Sequence, residues 1–168
     1  MQTPQQQKTN LFNKHLICLM LILAVFCLNG PLNAQLVSFD SHLSTLDDAS
    51  REQIHALAYD EQTTVLANAT GISVVGNGAA LVLDVNASDL AALNFSDAAL
   101  AQVKFIRIRI NNASDLALNL NLSGGAALSQ LSCVLVMSAV EATAAQITDS
   151  VQGAPDGVAV CYSVSVPN

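Results

Sequence analysis

The chain has 168 residues, of which 52% are hydrophobic and only 11% charged, and its formal net charge is −7. An apolar content this high is typical of an ordered domain and excludes an intrinsically disordered chain. The acidic balance also excludes nucleic acid as a favoured partner, because phosphate backbones repel a negatively charged protein.

The N-terminal segment has the organisation of a secretory signal peptide. A polar stretch with two lysines precedes the apolar run Leu16–Leu28, and the small residue Ala34 ends a segment that contains glycine and proline. The run is shorter than the roughly 20 apolar residues that a transmembrane helix needs. We therefore expect cleavage of residues 1–34, a single domain over residues 35–168, a periplasmic or extracellular location and no stable membrane insertion after cleavage. An uncleaved membrane anchor is the alternative.

Three predictions cover the part of the domain that precedes residue 81. The segment SHLSTLDDASREQ predicts a short capped helix near Leu46–Arg51. Residues 54–59 (IHALAY) predict a degenerate first strand. Residues 63–80 mix β-branched residues with asparagine and glycine, and we expect irregular structure with some strand there.

The central part of the chain contains an internal repeat. The pentapeptide NASDL occurs at Asn86–Leu90 and again at Asn112–Leu116, and the residues around the two copies share one order of features. Alternating apolar residues precede each copy, and a Leu-Asn-apolar-Ser step and an Ala-Ala-Leu step follow it. The offset is about 25 residues at the strands, from Leu81 to Ile106, and about 28 at the end of the unit. A period in this range is typical of a solenoid.

The segment VKFIRIRIN places apolar residues and Asn111 in the pattern L-x-x-L-x-L-x-x-N. This pattern and the period resemble the leucine-rich repeat, and the Asn-, Ala- and Ser-rich composition favours a bacterial exporter. The resemblance implies a divergent leucine-rich-repeat-like protein, a small curved α/β solenoid with mainly parallel strands and short helices. An antiparallel sandwich is the alternative fold. Strands are expected near residues 54–59, 81–85, 104–110, 132–138 and 158–166. The positions expected to be buried are Leu81, Leu83, Val85, Ile106, Ile108, Ile110, Val134 and Val136.

Short helices are expected between the strands. Ser96 is positioned to cap one over residues 98–103, and residues 126–131 are its counterpart in the second unit. Apolar residues at helical spacing predict a longer helix within residues 140–151.

Residues that could carry catalysis or hold a metal are sparse. Two histidines, His42 and His55, lie outside the predicted signal peptide. Neither is next to a cysteine in the sequence or part of a nucleophile motif. Cys133 and Cys161 likewise have no histidine near them in the sequence, so no metal-ligand spacing is visible. We therefore expect no enzyme activity, no metal and no cofactor.

Cys133 and Cys161 are the cysteines that remain outside the leader, and export to an oxidising compartment would allow them to form a disulfide. Their separation matches the offset at the end of the repeat unit, which would place them side by side on neighbouring strands. If Val134 is instead aligned with Val160, the two sulfurs lie diagonally and too far apart. We expect the disulfide, and two free thiols packed as small apolar groups are the alternative.

Basic residues are concentrated in one predicted strand. Of the four that remain after cleavage, Lys104, Arg107 and Arg109 fall within residues 104–110. Alternation places the two arginines on the outward face with a phenylalanine, and the neighbouring strands add acidic and apolar side chains. A mixture of arginine, aromatic and aliphatic groups is enriched at interface centres. The residues predicted to form this binding face are Phe105, Arg107, Arg109, Asp84, Leu135 and Met137.

The predicted face leads to a functional hypothesis. We expect an exported, non-catalytic binding or protein–protein interaction module whose exposed sheet face takes an acidic protein or a glycan. The alternatives are an enzyme-associated domain without a recognisable motif and a structural protein of the cell envelope. Asp84 and Arg109 could also pair across the strands with no further role.

Overall fold

The computed structural model describes residues 36–117, 119–122 and 128–166. The predicted signal peptide lies outside the described residues. The described residues belong to one compact unit, Ala34–Asn168. The helices in this part of the chain are α1 (Phe39–Thr45), α2 (Asp48–Tyr59) and α3 (Ala144–Ser150). The strands are β1 (Val37–Ser38), β2 (Thr64–Asn68), β3 (Gly71–Val75), β4 (Val82–Asn86), β5 (Phe105–Ile110), β6 (Leu120–Asn121), β7 (Cys133–Ser138), β8 (Val151–Gln152) and β9 (Ala159–Val164).

Seven strands form one mostly parallel sheet in the order β1-β9-β7-β5-β4-β2-β3. Each neighbouring pair is parallel except β2 and β3, which form an antiparallel hairpin at one edge. Strands β4, β5, β7 and β9 lie side by side in chain order, which requires a crossover connection between each pair. β6 and β8 pair separately as a small parallel sheet. The predicted α/β fold with mainly parallel strands is confirmed, and the antiparallel sandwich is wrong.

One face of the sheet, which we call the crossover face, packs against the connections between the strands. Both sides of this contact are aliphatic, so their burial is a large favourable contribution to folding. Of the positions predicted to be buried, Leu81 is only half-buried, because it precedes β4. The buried residues of the crossover face include Leu83, Val85, Ile106, Ile108, Ile110, Val134 and Val136 from the strands, and Leu90, Leu100, Leu122 and Ile147 from the connections.

The opposite face, which we call the helix face, is partly covered by α1 and α2. Phe39 of α1 and Leu57 of α2 join Phe105 of β5 in a second buried cluster, and the rings of Phe39 and Phe105 meet edge to face at 6.4 Å. Asp47 caps α2 by accepting hydrogen bonds from the backbone N–H and the hydroxyl of Ser50. Helices therefore cover part of a face that the alternating pattern predicted to be exposed.

Residues 54–59 are helical, so their prediction as a first strand is wrong. Ile54, Leu57 and Ala58 stand at the i, i+3 and i+4 positions that place three apolar side chains on one side of a helix. The short helix predicted near residues 46–51 is the beginning of the same helix α2. The strand that was expected here is supplied instead by β2.

Residues 63–80 form the β2–β3 hairpin and the loop to β4, where irregular structure with some strand was expected. Gly71 begins β3 with φ 138°, a conformation that favours glycine. Gly76 ends the hairpin with φ 110°, and a Cβ at this position would lie 2.9 Å from Cα of Thr63. The glycines thus permit a hairpin in a stretch whose composition is ambiguous.

The two copies of the repeat are present, but their strands are aligned differently from the prediction. Val85 lies opposite Ile108, which is an offset of 23 residues instead of 25. The difference arises after the strands, because Ala87 follows Val85 by two positions whereas Ala113 follows Ile108 by five. The second copy therefore carries three additional residues between its strand and its ASDL turn.

Both ASDL copies form short 3-10 turns where they leave the strands. In the second copy, the buried carboxylate of Asp115 accepts hydrogen bonds from the backbone N–H groups of Asn111 and Asn112, each at 3.2 Å. The side-chain amide of Asn111 also donates to Asn86 at 3.0 Å, which links the two copies. The 3-10 segments of the connections are Ala87–Ala92, Ala98–Leu100 and Ala113–Ala117.

The connections are more irregular than the predicted short helices. Asp97, rather than Ser96, caps the single 3-10 turn where a helix was expected over residues 98–103. The helix predicted within residues 140–151 is α3, which begins after a capping box at Thr143. The helix predicted over residues 126–131 falls partly outside the described part of the chain.

Candidate functional site

The predicted binding residues share the helix face, but only part of that face is open. Phe105 and Leu135 are fully buried in the cluster beneath α1 and α2, so their prediction as exposed binding residues is wrong. Met137 is half-buried and Arg109 is exposed. Exposure on this face therefore rises toward the carboxyl ends of β4, β5 and β7.

Asp84, Arg107 and Arg109 form a charge cluster on the helix face. Nη2 of Arg109 lies 2.6 Å from Oδ2 of Asp84, and Nε of Arg107 lies 3.3 Å from the same oxygen. The cross-strand pair of Asp84 and Arg109 that the sequence suggested is therefore present. The side chain of Asp84 is only 7% exposed, against 16% for Arg107 and 51% for Arg109. Two guanidinium groups thus share one nearly buried carboxylate.

Arg107 also fixes the end of α2. Its Nη1 donates a hydrogen bond to the carbonyl of Ala58 in the last turn of the helix, at 3.2 Å. A cation at this position also interacts favourably with the negative end of the helix dipole. Its buried Nε has no hydrogen-bond partner among the described residues, although it is close enough to Asp84 for ionic attraction. Arg107 is therefore both a structural link and an incompletely satisfied donor.

A cleft of about 720 Å³ opens beside Arg107. This volume lies within the range of roughly 300–1,000 Å³ that is usual for ligand pockets. Tyr59 and Val75, which are 51% and 54% exposed, give the cleft apolar walls, and Asp60 and Glu61 add negative charge. Burial, together with the carboxylate of nearby Asp40, raises the pKa of Tyr59. The cleft combines a cation, a hydrogen-bond donor and apolar contact area.

A row of accessible side chains lies across the carboxyl ends of the strands. Asn86, Arg109, Met137 and Ser163 are paired in register on β4, β5, β7 and β9. Arg109 is the most exposed member of this row and the others are half-buried. Neighbouring strands are about 4.8 Å apart, so the row presents one arginine between an amide and a thioether.

The two cysteines also lie on the helix face. Val134 pairs with Val160, which is the register that places the cysteines diagonally. Cys133 and Cys161 are free, buried thiols, yet their sulfurs and a ring nitrogen of His42 all lie within 4.8 Å of one another. The diagonal register therefore brings the sulfurs near each other as two unbonded thiols, and the disulfide stays a prediction. The hydrogen bond between the thiols raises the pKa of Cys133, with burial adding to it, and lowers the pKa of Cys161.

Several residues of the site were missed by the sequence predictions. Tyr59 was placed in a strand, and Val75 lay in a segment without a clear pattern. His42 is distant from both cysteines in the sequence, and only the packing of α1 on β7 and β9 brings it to them. The helical spacing of Ile54, Leu57 and Ala58 was a usable signal for α2, and hence for the position of Tyr59 at its end.

No protein-family model, no curated protein and no solved structure significantly matches the chain. Within the described residues, no helix has the length and apolar character required to cross a membrane. The geometry of the helix face is therefore the basis on which a function can be assigned.

Proposed function

We propose that the protein is an exported, non-catalytic binding module whose helix face holds a carboxylate-bearing partner, either an acidic protein or an acidic glycan. The observation that supports this function is the charge cluster of Asp84, Arg107 and Arg109. Two cations share one anion there, in a chain whose formal net charge is −7. One positive charge is left over, and a carboxylate of the partner can neutralise it.

Arg109 is the residue best suited to contact the partner. Half of its side chain is exposed, and Asp84 engages its Nη2. A guanidinium group has five N–H donors in a planar fork that matches a carboxylate, so Arg109 retains donors for a second carboxylate. Asp84 holds the fork in place, which reduces the entropy that would be lost when a partner binds.

The side chains that line the cleft determine which carboxylate-bearing partners can bind. Tyr59 and Val75 offer apolar contact area next to Arg107, whereas Asp60 and Glu61 repel further negative charge. A partner with an isolated carboxylate beside apolar groups would bind both parts of the site. A uniformly charged polyanion would meet repulsion at the cleft, and this repulsion is a source of specificity.

We further infer that the sheet belongs to a short leucine-rich-repeat-like solenoid, and that residues 1–34 direct its export. Four parallel strands in chain order, the repeated ASDL turns and the contact between Asn86 and Asn111 support the repeat architecture. N-terminal sequencing of the protein from the periplasmic or extracellular fraction should find Gln35 as the first residue. Retention of Met1 in a membrane fraction would contradict the proposed export.

The binding function can be tested with defined carboxylate probes. The ¹⁵N-labelled protein would be titrated with a short peptide in which one glutamate is flanked by leucines, and separately with an otherwise neutral oligosaccharide that carries a single uronic acid. Binding at the proposed site should shift the backbone amides of Tyr59, Val75 and Arg109. The probe with the larger shifts distinguishes a protein partner from a glycan partner.

Two variants make the test specific. Arg109→Gln removes the exposed cation and should abolish saturable shifts, while its partial exposure predicts an intact fold. Lys104→Gln removes a cation just before β5, outside the charge cluster, and should bind like the wild type. If neither probe produces saturable shifts at low salt, or if both variants weaken binding equally, the proposed site is wrong.

A further inference from the structure

His42, Cys133 and Cys161 bring three metal-ligating atoms together beneath α1. The two sulfurs and one imidazole nitrogen lie within 4.8 Å of one another, although they come from a helix and two different strands. Both cysteines are buried and the histidine is half-buried. A disulfide would account for the approach of the two sulfurs, but it would not account for the imidazole beside them.

The three atoms match the ligand preference of one class of metal ion. Thiolate sulfur and imidazole nitrogen are the ligands of zinc, which binds them at about 2.3 Å and about 2.0 Å in a tetrahedral arrangement. Two such ligands on one zinc ion are separated by roughly 3.5–3.8 Å, as follows from these bond lengths and the tetrahedral angle. Small side-chain rotations would bring atoms that already lie within 4.8 Å to that separation. Calcium and magnesium are poor candidates, because they prefer oxygen ligands.

Charge and burial also favour a divalent cation. Two thiolates in this apolar layer, among Phe39, Leu135 and Phe105, would be costly without a counter-ion. A divalent ion neutralises both, and the neutral imidazole adds a third ligand without adding charge. Because His42 is only half-buried, the fourth position of the ion can be reached by water.

We propose that His42, Cys133 and Cys161 form a binding site for one Zn²⁺ ion. The ion joins α1 to β7 and β9. α1 has only seven residues, and Ser38 caps it with a single backbone hydrogen bond at 3.2 Å. A metal bond to His42 in its last turn would fasten the helix to the sheet over the apolar cluster. The site thus stabilises the helix face independently of the charge cluster.

The test begins with the exported protein as isolated, residues 35–168, whose cysteines are Cys133 and Cys161. Thiol counting under denaturing, non-reducing conditions and measurement of zinc content should find two thiols and one zinc per chain. The metal-free, reduced protein should then bind one equivalent of Zn²⁺ in competition with a chromophoric chelator. Co²⁺, used as a spectroscopic probe, should give the intense visible bands of a tetrahedral site and a thiolate charge-transfer band.

Substitutions connect binding to the three residues. Cys161→Ser or Cys133→Ser should weaken zinc binding by at least about 100-fold, because even outer-shell partners of metal sites contribute 10- to 100-fold. His42→Gln should weaken it by at least about 10-fold and remove one nitrogen ligand from the Co²⁺ spectrum. His55→Gln is the matched control, because His55 packs on Tyr59 elsewhere on α2, and it should bind like the wild type.

A readout of the fold separates loss of the site from loss of structure. Amide hydrogen exchange in residues 39–45 should slow on zinc addition in the wild type and in His55→Gln, but not in His42→Gln, while protection of β5 stays unchanged in all of them. The proposal is overturned if the reduced protein does not bind Zn²⁺, or if His42→Gln and both cysteine variants bind it as the wild type does. It is also overturned if the chain as isolated carries a disulfide and binds zinc only after reduction.

Discussion

Other parts of the chain cover both faces of the sheet, but the two faces differ in the residues they present and in the segments that cover them. On the crossover face, aliphatic side chains such as Ile106 and Ile108 pack against the connections that immediately precede or follow their own strands. On the helix face, the same strands present Phe105, Arg107 and Arg109, and the cover comes from helices of a distant N-terminal segment. One face is a uniform apolar layer, and the other passes from an apolar cluster to charged and exposed side chains.

The difference shows why an alternating strand was misinterpreted. The alternation of isoleucine with arginine in β5 is typical of a strand with one buried and one exposed face. Parallel sheets, however, are usually covered on both faces. Arg107 reconciles the two observations, because its side chain is largely buried while its guanidinium group donates a hydrogen bond to the covering helix and forms an ion pair with Asp84. A charged residue in a strand is therefore compatible with a covered face when the cover offers an acceptor.

The largest expected effect tests the uniform crossover face. Ile108→Ala removes a fully buried side chain from the centre of that face and should lower the free energy of unfolding by about 2–5 kcal/mol. Urea or thermal unfolding followed by circular dichroism measures the change. Val74→Ala is the control, because Val74 is 51% exposed, and it should change the stability little. A wild-type midpoint for Ile108→Ala would contradict the assignment of this face as the core.

The second-largest expected effect tests whether the charge cluster stabilises the helix face. Asp84→Ala leaves the largely buried guanidinium group of Arg107 without its carboxylate and should cost about 3 kcal/mol. Asp48→Ala is the matched control, since Asp48 also pairs with an arginine but its side chain is 97% exposed. The control should be nearly neutral in the same urea unfolding experiment. Equal effects of the two substitutions would show that the charge cluster contributes no more than a surface ion pair.

The crossover face and the strands β4, β5, β7 and β9 could be predicted from the sequence, because their signals are local. The alternation in residues 104–110 lies within a single segment and identifies both the strand and its aliphatic side. Residues 133–137 form an unbroken apolar run, and the repeat pattern predicts the strand there. The offset between β4 and β5 was missed because three inserted residues follow β5, and the alignment of Leu81 with Ile106 absorbed part of them. Insertions between strand and turn shift the register without changing either motif.

The candidate site was predictable only in part, because its geometry depends on contacts between distant segments. The side of β5 that carries Arg107 and Arg109 followed from alternation. That Phe105 is buried could not follow, since α2 covers it and residues 54–59 were assigned to a strand. The approach of His42 to the cysteines depends on how α1 packs on β7 and β9, and nothing in the local sequence reports it.

Two substitutions with smaller expected effects on stability locate the boundary between the covered and open parts of the helix face. Arg107→Lys removes the guanidinium group that both donates a hydrogen bond to Ala58 and contacts Asp84. One ammonium group cannot make both contacts, so the substitution should lower the free energy of unfolding by about 1–2 kcal/mol. Arg109→Lys should cost well under about 1 kcal/mol, because its side chain is half exposed and water screens the pair. Both are measured by urea unfolding at the same salt concentration. If Arg109→Lys lowers the free energy of unfolding more than Arg107→Lys does, the covered part of the helix face does not end between these two residues.

The smallest effect concerns the end of the helix that covers this face. Hydrogen bonds from the backbone and hydroxyl of Ser50 lower the pKa of Asp47 below its ordinary 3.8. A lowered folded-state pKa means that the charged cap stabilises α2 above that pH, and that this stabilisation is lost as the pH falls through the folded pKa. Asp47→Asn keeps a capping side chain that does not titrate. The wild type should therefore exceed the variant in thermal midpoint at neutral pH, and the difference should shrink as the pH falls below 3.8 and through the lowered folded-state pKa of Asp47. Amide exchange across α2 should follow the same pH dependence while the crossover face stays protected. If the difference in thermal midpoint between the wild type and Asp47→Asn stays constant from neutral to acid pH, the charge of Asp47 does not stabilise α2.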